Sequence, residues 1–249
     1  MKAIIIAAGS GKRLGNKTKK IPKGLLEING KTILERQIEI LKNNGVQDIV
    51  IIIGPHKEKF NFQSVKYVED LEYEKHDVLL SLMAAKKEIK GEIITTYSDI
   101  LFDEKILQEI IKSKIDIGVV TDLNWEQKYE KRSEHPKSQA DNVIIENNKI
   151  IKIRKNISKI EKNQQNGEFI GIMKFSEKGS DMFVNEFNKI EKNKPQSFHN
   201  AKTFEKSYLT DMIQELIDQN IIVNPIIVNG DWCEIDTSQD LENAIKKNI

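Results

Sequence analysis

The residues Ala7-Ala8-Gly9-Ser10-Gly11-Lys12-Arg13-Leu14 follow directly on an apolar run. Glycines at this density let a backbone approach phosphate oxygens, and the N–H groups they expose form an anion-binding nest. Lys12 and Arg13 add positive charge where a triphosphate would lie. The spacing is not that of a GxxxxGK[ST] phosphate loop. With Leu14 in place it also lacks the last glycine of the dinucleotide GxGxxG fingerprint. For the glycines alone, a tight turn leaving a strand is the alternative. Further on stands Pro22-Lys23-Gly24-Leu25-Leu26, whose lysine is either a phosphate ligand or an ordinary exposed side chain. Asp99 ends a strand-like run where a carboxylate would point into a crevice, and carboxylates suit a hard cation such as Mg2+, which takes one or two protein oxygens and completes its shell with phosphate and water. Taken alone, Asp236 reads as the N-cap of a last helix. No Cys/His metal-ligand spacing and no Ser-His-Asp arrangement can be read.

These residues need elements to position them. The run from Ala3 to Ala8 predicts a central strand buried on both faces. Thr32 with Glu35 predicts a capping box, and Ile33, Leu34, Ile38, Ile40 and Leu41 an amphipathic helix ending near Asn44-Gly45. A second strand over 49–53 completes a βαβ unit, hence a parallel sheet. The alternation continues with strands at 65–68, 92–97 and 117–121 and helices at 78–88 and 104–112. From Asp122 to about Asn142 the chain is polar and aromatic without a clear period. Then come a hairpin of 143–146 and 150–153 around Asn147-Asn148, a strand at 169–175, helices at about 177–190 and 205–219, a strand at 222–228 and a helix from Ser238. In open α/β sheets a site lies at the carboxyl ends of the strands, so Gly9, Asp99 and the Glu168 region converge.

Of the 249 residues, 39% are hydrophobic and 31% charged, enough apolar content for a core. Lys plus Arg number 39 and Asp plus Glu 38, so the net charge is +1 and no global basic field speaks for a nucleic-acid partner. The single cysteine, Cys233, excludes an intramolecular disulfide and fits a reducing compartment. No stretch approaches the roughly 18 consecutive apolar residues of a membrane span, and the apolar start runs into a glycine loop rather than a cleavage site. A cytoplasmic protein with no membrane partner is expected.

The pairing of Ala-Ala-Gly-x-Gly-x-Arg with Pro-Lys and an apolar pair resembles the signature of the sugar-nucleotidyltransferase-like superfamily, of GT-A-like fold. Tyr97-Ser98-Asp99-Ile100-Leu101, Gly167-Glu168-Phe169-Ile170-Gly171, Tyr208-Leu209-Thr210-Asp211 and Trp232-Cys233-Glu234-Ile235-Asp236-Thr237 narrow it. They are similar to phosphocholine cytidylyltransferases and, more closely, to phosphonate cytidylyltransferases associated with phosphoenolpyruvate mutase. The implied fold is α/β: a Rossmann-like mixed, mostly parallel central sheet flanked by helices, with a smaller β-rich acceptor-binding region. Residues 1–249 form one nucleotidyltransferase domain, with 1–121 the nucleotide half and 122–249 the acceptor half; a homodimer is allowed.

The resemblance implies Lys23 and Arg13 as catalytic residues, Arg13 on the outer phosphates and Lys23 on charge developing around the α-phosphate. It assigns Ala8, Gly9, Ser10, Gly11, Lys12, Arg13, Ser81 and Ser98 to the nucleotide and Asp99 and Asp236 to Mg2+. The donor is CTP, and the acceptor is a small phosphonate, 2-aminoethylphosphonate or 2-hydroxyethylphosphonate. Phosphocholine enzymes carry Asn residues where this chain has His76-Asp77 ahead of Ser81-Leu82, which counts against choline. For the acceptor the expected residues are Lys155, from the basic group Lys152, Arg154 and Lys155, together with Glu168, Arg132 and His135. Trp125, Tyr129, Arg132 and His135 could equally pack against the second half. The competing functions are a sugar-1-phosphate or phosphocholine nucleotidyltransferase, which shares the loop and carboxylates, and a non-catalytic nucleotide-sensing module, against which both aspartates count.

Overall fold

The computed structural model describes residues 1–9, 11, 14–15, 18, 20–130, 132–157 and 159–247. The isoleucine-rich start forms β1 (Lys2–Ala7), every residue of it buried. The short hairpin of β2 (Glu27–Ile28) and β3 (Lys31–Thr32) leads into α1 (Ile33–Asn43). As expected, Glu35 N–H donates to Thr32 Oγ1 at 3.1 Å and Thr32 N–H to Glu35 Oε2 at 2.6 Å, closing the capping box. β4 (Asp48–Ile53), β5 (Lys66–Glu69), α2 (Val78–Ala84), β6 (Ile93–Tyr97), β7 (Ile100–Phe102), α3 (Glu104–Lys112) and β8 (Ile117–Asp122) follow. The second part of the chain gives β9 (Asp141–Glu146), β10 (Lys149–Lys155), β11 (Gln165–Phe175), α4 (Glu177–Asn193), α5 (Leu209–Asp218), β12 (Asn224–Val228), β13 (Trp232–Glu234) and α6 (Ser238–Lys247).

Two helices differ from expectation. The one predicted over 78–88 stops at Ala84 and tightens into a 3-10 turn, Lys86–Glu88, where Glu88 turns to meet Lys2 Nζ at 2.9 Å. The one predicted from 205 starts at Leu209, because Asp211 takes the Tyr208 N–H at 2.8 Å and so sets the N-terminus there. The pairs β2–β3 and β7–β13 are too short to leave a periodic signal.

Nine strands share one sheet, in the order β10-β9-β11-β6-β1-β4-β5, with β8 on β11 and β12 on β8. β1 pairs in parallel with β4 and β6, β4 with β5, and β8 with β12. β11 is antiparallel to β6, β8 and β9, and β9 to β10. Followed through these pairs, seven of the nine strands point one way and only β10 and β11 are reversed, so the sheet is mixed and mostly parallel. Strands from both sides of residue 121 thus lie in one sheet, with helices packed against its apolar faces.

β11 is the seam. It pairs with β9 over 165–168 and with β6 over 172–175, and its register against β8 shifts between Phe169 and Met173. Gly171 sits in that irregularity at φ +80, and a Cβ there would lie 2.7 Å from Tyr97 Cδ2. Only glycine lets the strand bend past that ring. No helix among the described residues is long and apolar enough to cross a membrane.

Candidate active site

β1 and β6 lie side by side, Ile6 opposite Tyr97, and the site forms just beyond their ends. The turn carrying Asp99 is held from three directions. Ser98 N–H donates to Ile6 O at 3.1 Å, Gln37 of α1 donates through Nε2 to Tyr97 O at 2.8 Å and Ile100 O at 2.6 Å, and Ile235 N–H donates to Asp99 O at 3.0 Å. The β7–β13 ladder, Ile100 opposite Glu234, then delivers Asp236 beside Asp99. Lys23 heads a 3-10 turn after Pro22. Gly24 lets that turn close on its neighbours, since a Cβ there would lie 2.9 Å from Leu34 Cγ and 3.0 Å from Ser98 Cβ.

Lys23 Nζ donates to Asp99 Oδ2 at 2.6 Å and also to Asp236 Oδ1. Burial alone would lower the lysine's pKa, but Asp99, Asp236 and Glu234 outweigh it and hold the ammonium above the ordinary lysine range. Lys23 is therefore a fixed positive charge and no base. Asp236 is 2% exposed and does not cap α6 with its carboxylate. That task falls to Thr237 and Asp240: Asp240 N–H donates to Thr237 Oγ1 at 3.2 Å and Thr237 N–H to Asp240 Oδ2 at 2.9 Å.

The donor set suits a hard divalent cation. Asp99 Oδ1 is buried and has no hydrogen-bond partner among the described residues, while Oδ2 faces Lys23. A second set overlaps it, because donor atoms of His135, Glu234 and Asp236 lie within 4.8 Å of one another. There, however, Arg132 Nη2 already stands 3.9 Å from Glu234 Oε2, supplying positive charge. Burial, followed by repulsion from Asp236 and Asp99, raises the Glu234 carboxyl well above its usual range.

A cleft of about 480 Å³ runs over this centre. It is lined by Ala8, Gly9, Gly11, Lys23, Ser81, Ser98, Asp99 and Asp236, so these expected nucleotide and metal residues come together, with Tyr73, His76 and Tyr208 added. Ser10, Lys12 and Arg13, expected here too, lie outside the described residues. The cleft shares Tyr97, Asp141, Lys155, Glu234 and Asp236 with a smaller pocket that is also lined by Tyr129, His135, Glu168 and Trp232.

That pocket gathers three of the four expected acceptor residues. Lys155 ends β10, with Nζ 5.7 Å from the centroid of the Tyr208 ring. Lys152 and Arg154 on the same strand line neither cavity. Glu168 lies on β11 opposite Asp122 and accepts the Tyr129 hydroxyl hydrogen on Oε1, leaving Oε2 buried with no hydrogen-bond partner among the described residues. His135 packs edge-on against Tyr129, centroids 5.8 Å apart, with Nδ1 3.4 Å from Asp236 Oδ2. Arg132 does not line the pocket but backs it: its Nε donates to Asp240 Oδ1 at 2.9 Å and its guanidinium covers the Tyr129 ring at 4.9 Å. The irregular stretch therefore both packs and contributes, with Trp125, Tyr129 and Ala140 forming a small cluster of their own.

Several lining residues were not expected. Asp141 opens β9 and holds Oδ1 buried with no hydrogen-bond partner among the described residues. Trp232 is anchored by its Nε1–H to Asp122 Oδ2 at 2.8 Å. Burial pushes the Glu168 carboxyl up to about 8, against a lowering from the Tyr129 hydrogen bond, and pushes Asp141 up to about 6 against the nearby Lys155 charge. A Ser-His-Asp grouping also exists, contrary to the sequence reading, but with Asp70 in the middle. Ser81 Oγ–H donates to Asp70 Oδ2 at 2.8 Å, and His76 Nε2 lies 3.1 Å from Asp70 Oδ1. A nucleophile needs its base adjacent; here the serine hydrogen goes to the carboxylate, so the group is not hydrolytic.

Residues 3–126 match the MobA-like NTP transferase domain. The CTP:phosphoglutamine cytidylyltransferase of Campylobacter jejuni is 29% identical over 260 aligned positions, covering 99% of this chain and 100% of that protein. The choline-phosphate cytidylyltransferase of Streptococcus pneumoniae is 37% identical over 117 positions, 45% of this chain and 51% of that protein. Among solved structures, the inositol-1-phosphate CTP transferase from T. maritima aligns over 100% of this chain and 97% of its own, with a TM-score of 0.73 at 20% identity. At that identity the likeness is one of fold.

Proposed function

We propose that this chain, a nucleotidyltransferase whose residues 3–126 match the MobA-like NTP transferase domain, transfers CMP from CTP to a small acceptor carrying both a phosphonate or phosphate and an ammonium group. The donor follows the two curated relatives. The acceptor follows the pocket. Glu168 Oε2 and Asp141 Oδ1, both buried with no hydrogen-bond partner among the described residues, line one small cavity with Tyr97, Tyr129 and Trp232. Carboxyl oxygens among aromatic rings, ionised once a cation arrives, are the surroundings an alkylammonium fits. This observation carries the reading, and it favours 2-aminoethylphosphonate over 2-hydroxyethylphosphonate.

In the reaction an anionic phosphonate oxygen attacks the α-phosphorus of CTP in line. A new P–O bond forms, the bond from the α-phosphorus to the bridging oxygen breaks, and pyrophosphate leaves with that electron pair. The nucleophile is already ionised at neutral pH, so no general base is required and catalysis rests on positioning and charge. Lys23 holds its ammonium where charge gathers on the α-phosphate oxygens. Lys155, lining both cavities, meets the acceptor anion. Glu168 and Asp141 orient its ammonium end, and Arg13 takes the outer phosphates. Asp99 and Asp236 would hold a divalent ion, Mg2+ in this proposal, which when bound supplies further neutralisation of phosphate charge.

The test is pyrophosphate release from CTP with 2-aminoethylphosphonate, 2-hydroxyethylphosphonate, phosphocholine and glucose 1-phosphate as acceptors. The aminophosphonate should have the highest kcat/KM. A glucose 1-phosphate value tenfold above it would replace this acceptor class with a sugar phosphate.

A further inference from the structure

Tyr73, His76 and Ser81 line the cleft but not the acceptor pocket. With the α-phosphorus at Lys23 and the acceptor in its pocket, the nucleoside takes the end these three residues form beside Gly9. Behind that end lies Asp70, 2% exposed. It extends β5, its N–H donating to Ile53 O at 2.8 Å. Its carboxylate is fully engaged. Oδ2 accepts the Ser81 hydroxyl hydrogen at 2.8 Å, while Oδ1 accepts Glu72 N–H at 3.1 Å and faces His76 Nε2 at 3.1 Å. The other ring nitrogen, Nδ1, lies 3.2 Å from Asp77 O, so the imidazole is pinned as a wall of this end.

A serine hydroxyl has one hydrogen and two lone pairs, whereas a carboxylate only accepts. With its hydrogen committed to Asp70, Ser81 Oγ can offer the cleft lone pairs alone. Turning it round would strip a hydrogen bond from a buried carboxylate, which is costly. An oxygen of that polarity accepts from the N4 amino group of cytosine and repels O4 of uracil, a bare acceptor. We propose that Asp70 sets the base choice of this enzyme: by fixing Ser81 Oγ as an acceptor, it admits cytosine and rejects uracil. Asp70 touches no substrate and is a positioning residue. The inference rests on the cytidylyl-transfer reading and deepens it.

Calorimetric binding of CTP and of UTP in Mg2+ buffer tests this without any acceptor. The wild-type protein should prefer CTP by about tenfold or more, the scale of one net hydrogen bond. In Asp70→Asn the side-chain amide can donate to Ser81 Oγ and free its hydrogen, so UTP should gain and the preference collapse toward unity. Ser81→Ala should lose CTP affinity and gain UTP affinity as the repulsion goes, whereas Ser81→Thr should keep the wild-type ratio. General damage to the site would weaken both nucleotides and leave the ratio in place. A folded Asp70→Asn or Ser81→Ala protein with the wild-type ratio overturns the proposal; where Asp70→Asn does not fold, Ser81→Ala decides. Equal binding of CTP and UTP by the wild type overturns it while leaving nucleotidyl transfer intact. Binding of neither overturns the transfer reading, and this inference with it.

Discussion

Lys23 Nζ lies 2.6 Å from Asp99 Oδ2, across 76 positions of sequence, and bonds Asp236 at the same time. The lysine stands between the two carboxylates that suit a divalent ion, and it acts as their counter-ion. On the proposed assignment a divalent ion would be held by the carboxylates and would supply charge neutralisation, while the triphosphate would take the lysine, so the two would arrive as partners in an exchange.

That exchange predicts opposite effects of one substitution. Lys23→Ala should lower kcat by about 10²–10³, the cost of losing a preorganised charge contact, with a smaller change in the KM for CTP. The same variant should bind Mn2+ more tightly than wild type when no nucleotide is present, measured by electron paramagnetic resonance. A raised KM with unchanged kcat would reassign Lys23 to ground-state binding.

Asp99→Asn and Asp236→Asn should each abolish turnover in protein that remains folded by circular dichroism. Near-normal kcat in either, with Mg2+ as the only metal, removes that residue from the ion's donor set.

The acceptor pocket predicts a pH signature. Glu168 titrates at about 8 because burial disfavours its charge, so at neutral pH it is largely protonated in the empty pocket. An acceptor ammonium gains from the ionised form, so its binding releases a proton and strengthens as pH rises toward 8. A hydroxyl gains far less. The ratio of kcat/KM for 2-aminoethylphosphonate over 2-hydroxyethylphosphonate should climb between about pH 6 and 8 and stay flat in Glu168→Gln. A flat wild-type ratio places the ammonium elsewhere.

Gly171→Ala should be destabilising by about 1–3 kcal/mol, since it puts a Cβ at positive φ in the left-handed region and within 2.7 Å of the Tyr97 ring. Thermal unfolding measures it. An unchanged Tm would mean that β11 can bend past Tyr97 without glycine.

How far the molecule was legible in its sequence depends on the range of the interaction. The Thr32–Glu35 box and the isoleucine strands are local, and period and capping chemistry reveal them. Lys23, Asp99 and Asp236 were marked by motif resemblance, and only the fold shows that one lysine bridges both aspartates. The capping role that the sequence offers to Asp236 is taken by Thr237 and Asp240, whose i−3 pairing is visible only once the helix is built. Asp141 and the Tyr129–Glu168 bond left no local trace, because each depends on strands brought together by the β8–β11–β9 pairing, while Trp232 belongs to a visible motif whose anchoring by Asp122 only the fold shows. Asp70 reads as a polar residue after a short strand; its burial comes from α2 and the end of β5 closing around it.

The most direct measurement of the central claim is phosphorus NMR of CTP, Mg2+ and 2-aminoethylphosphonate incubated with the protein. Loss of the CTP signals is expected, with pyrophosphate appearing together with a coupled pair of resonances from a P–O–P linkage between CMP and the phosphonate, and none of this when the acceptor is omitted. Intact CTP, or acceptor-independent conversion to CMP, would contradict it.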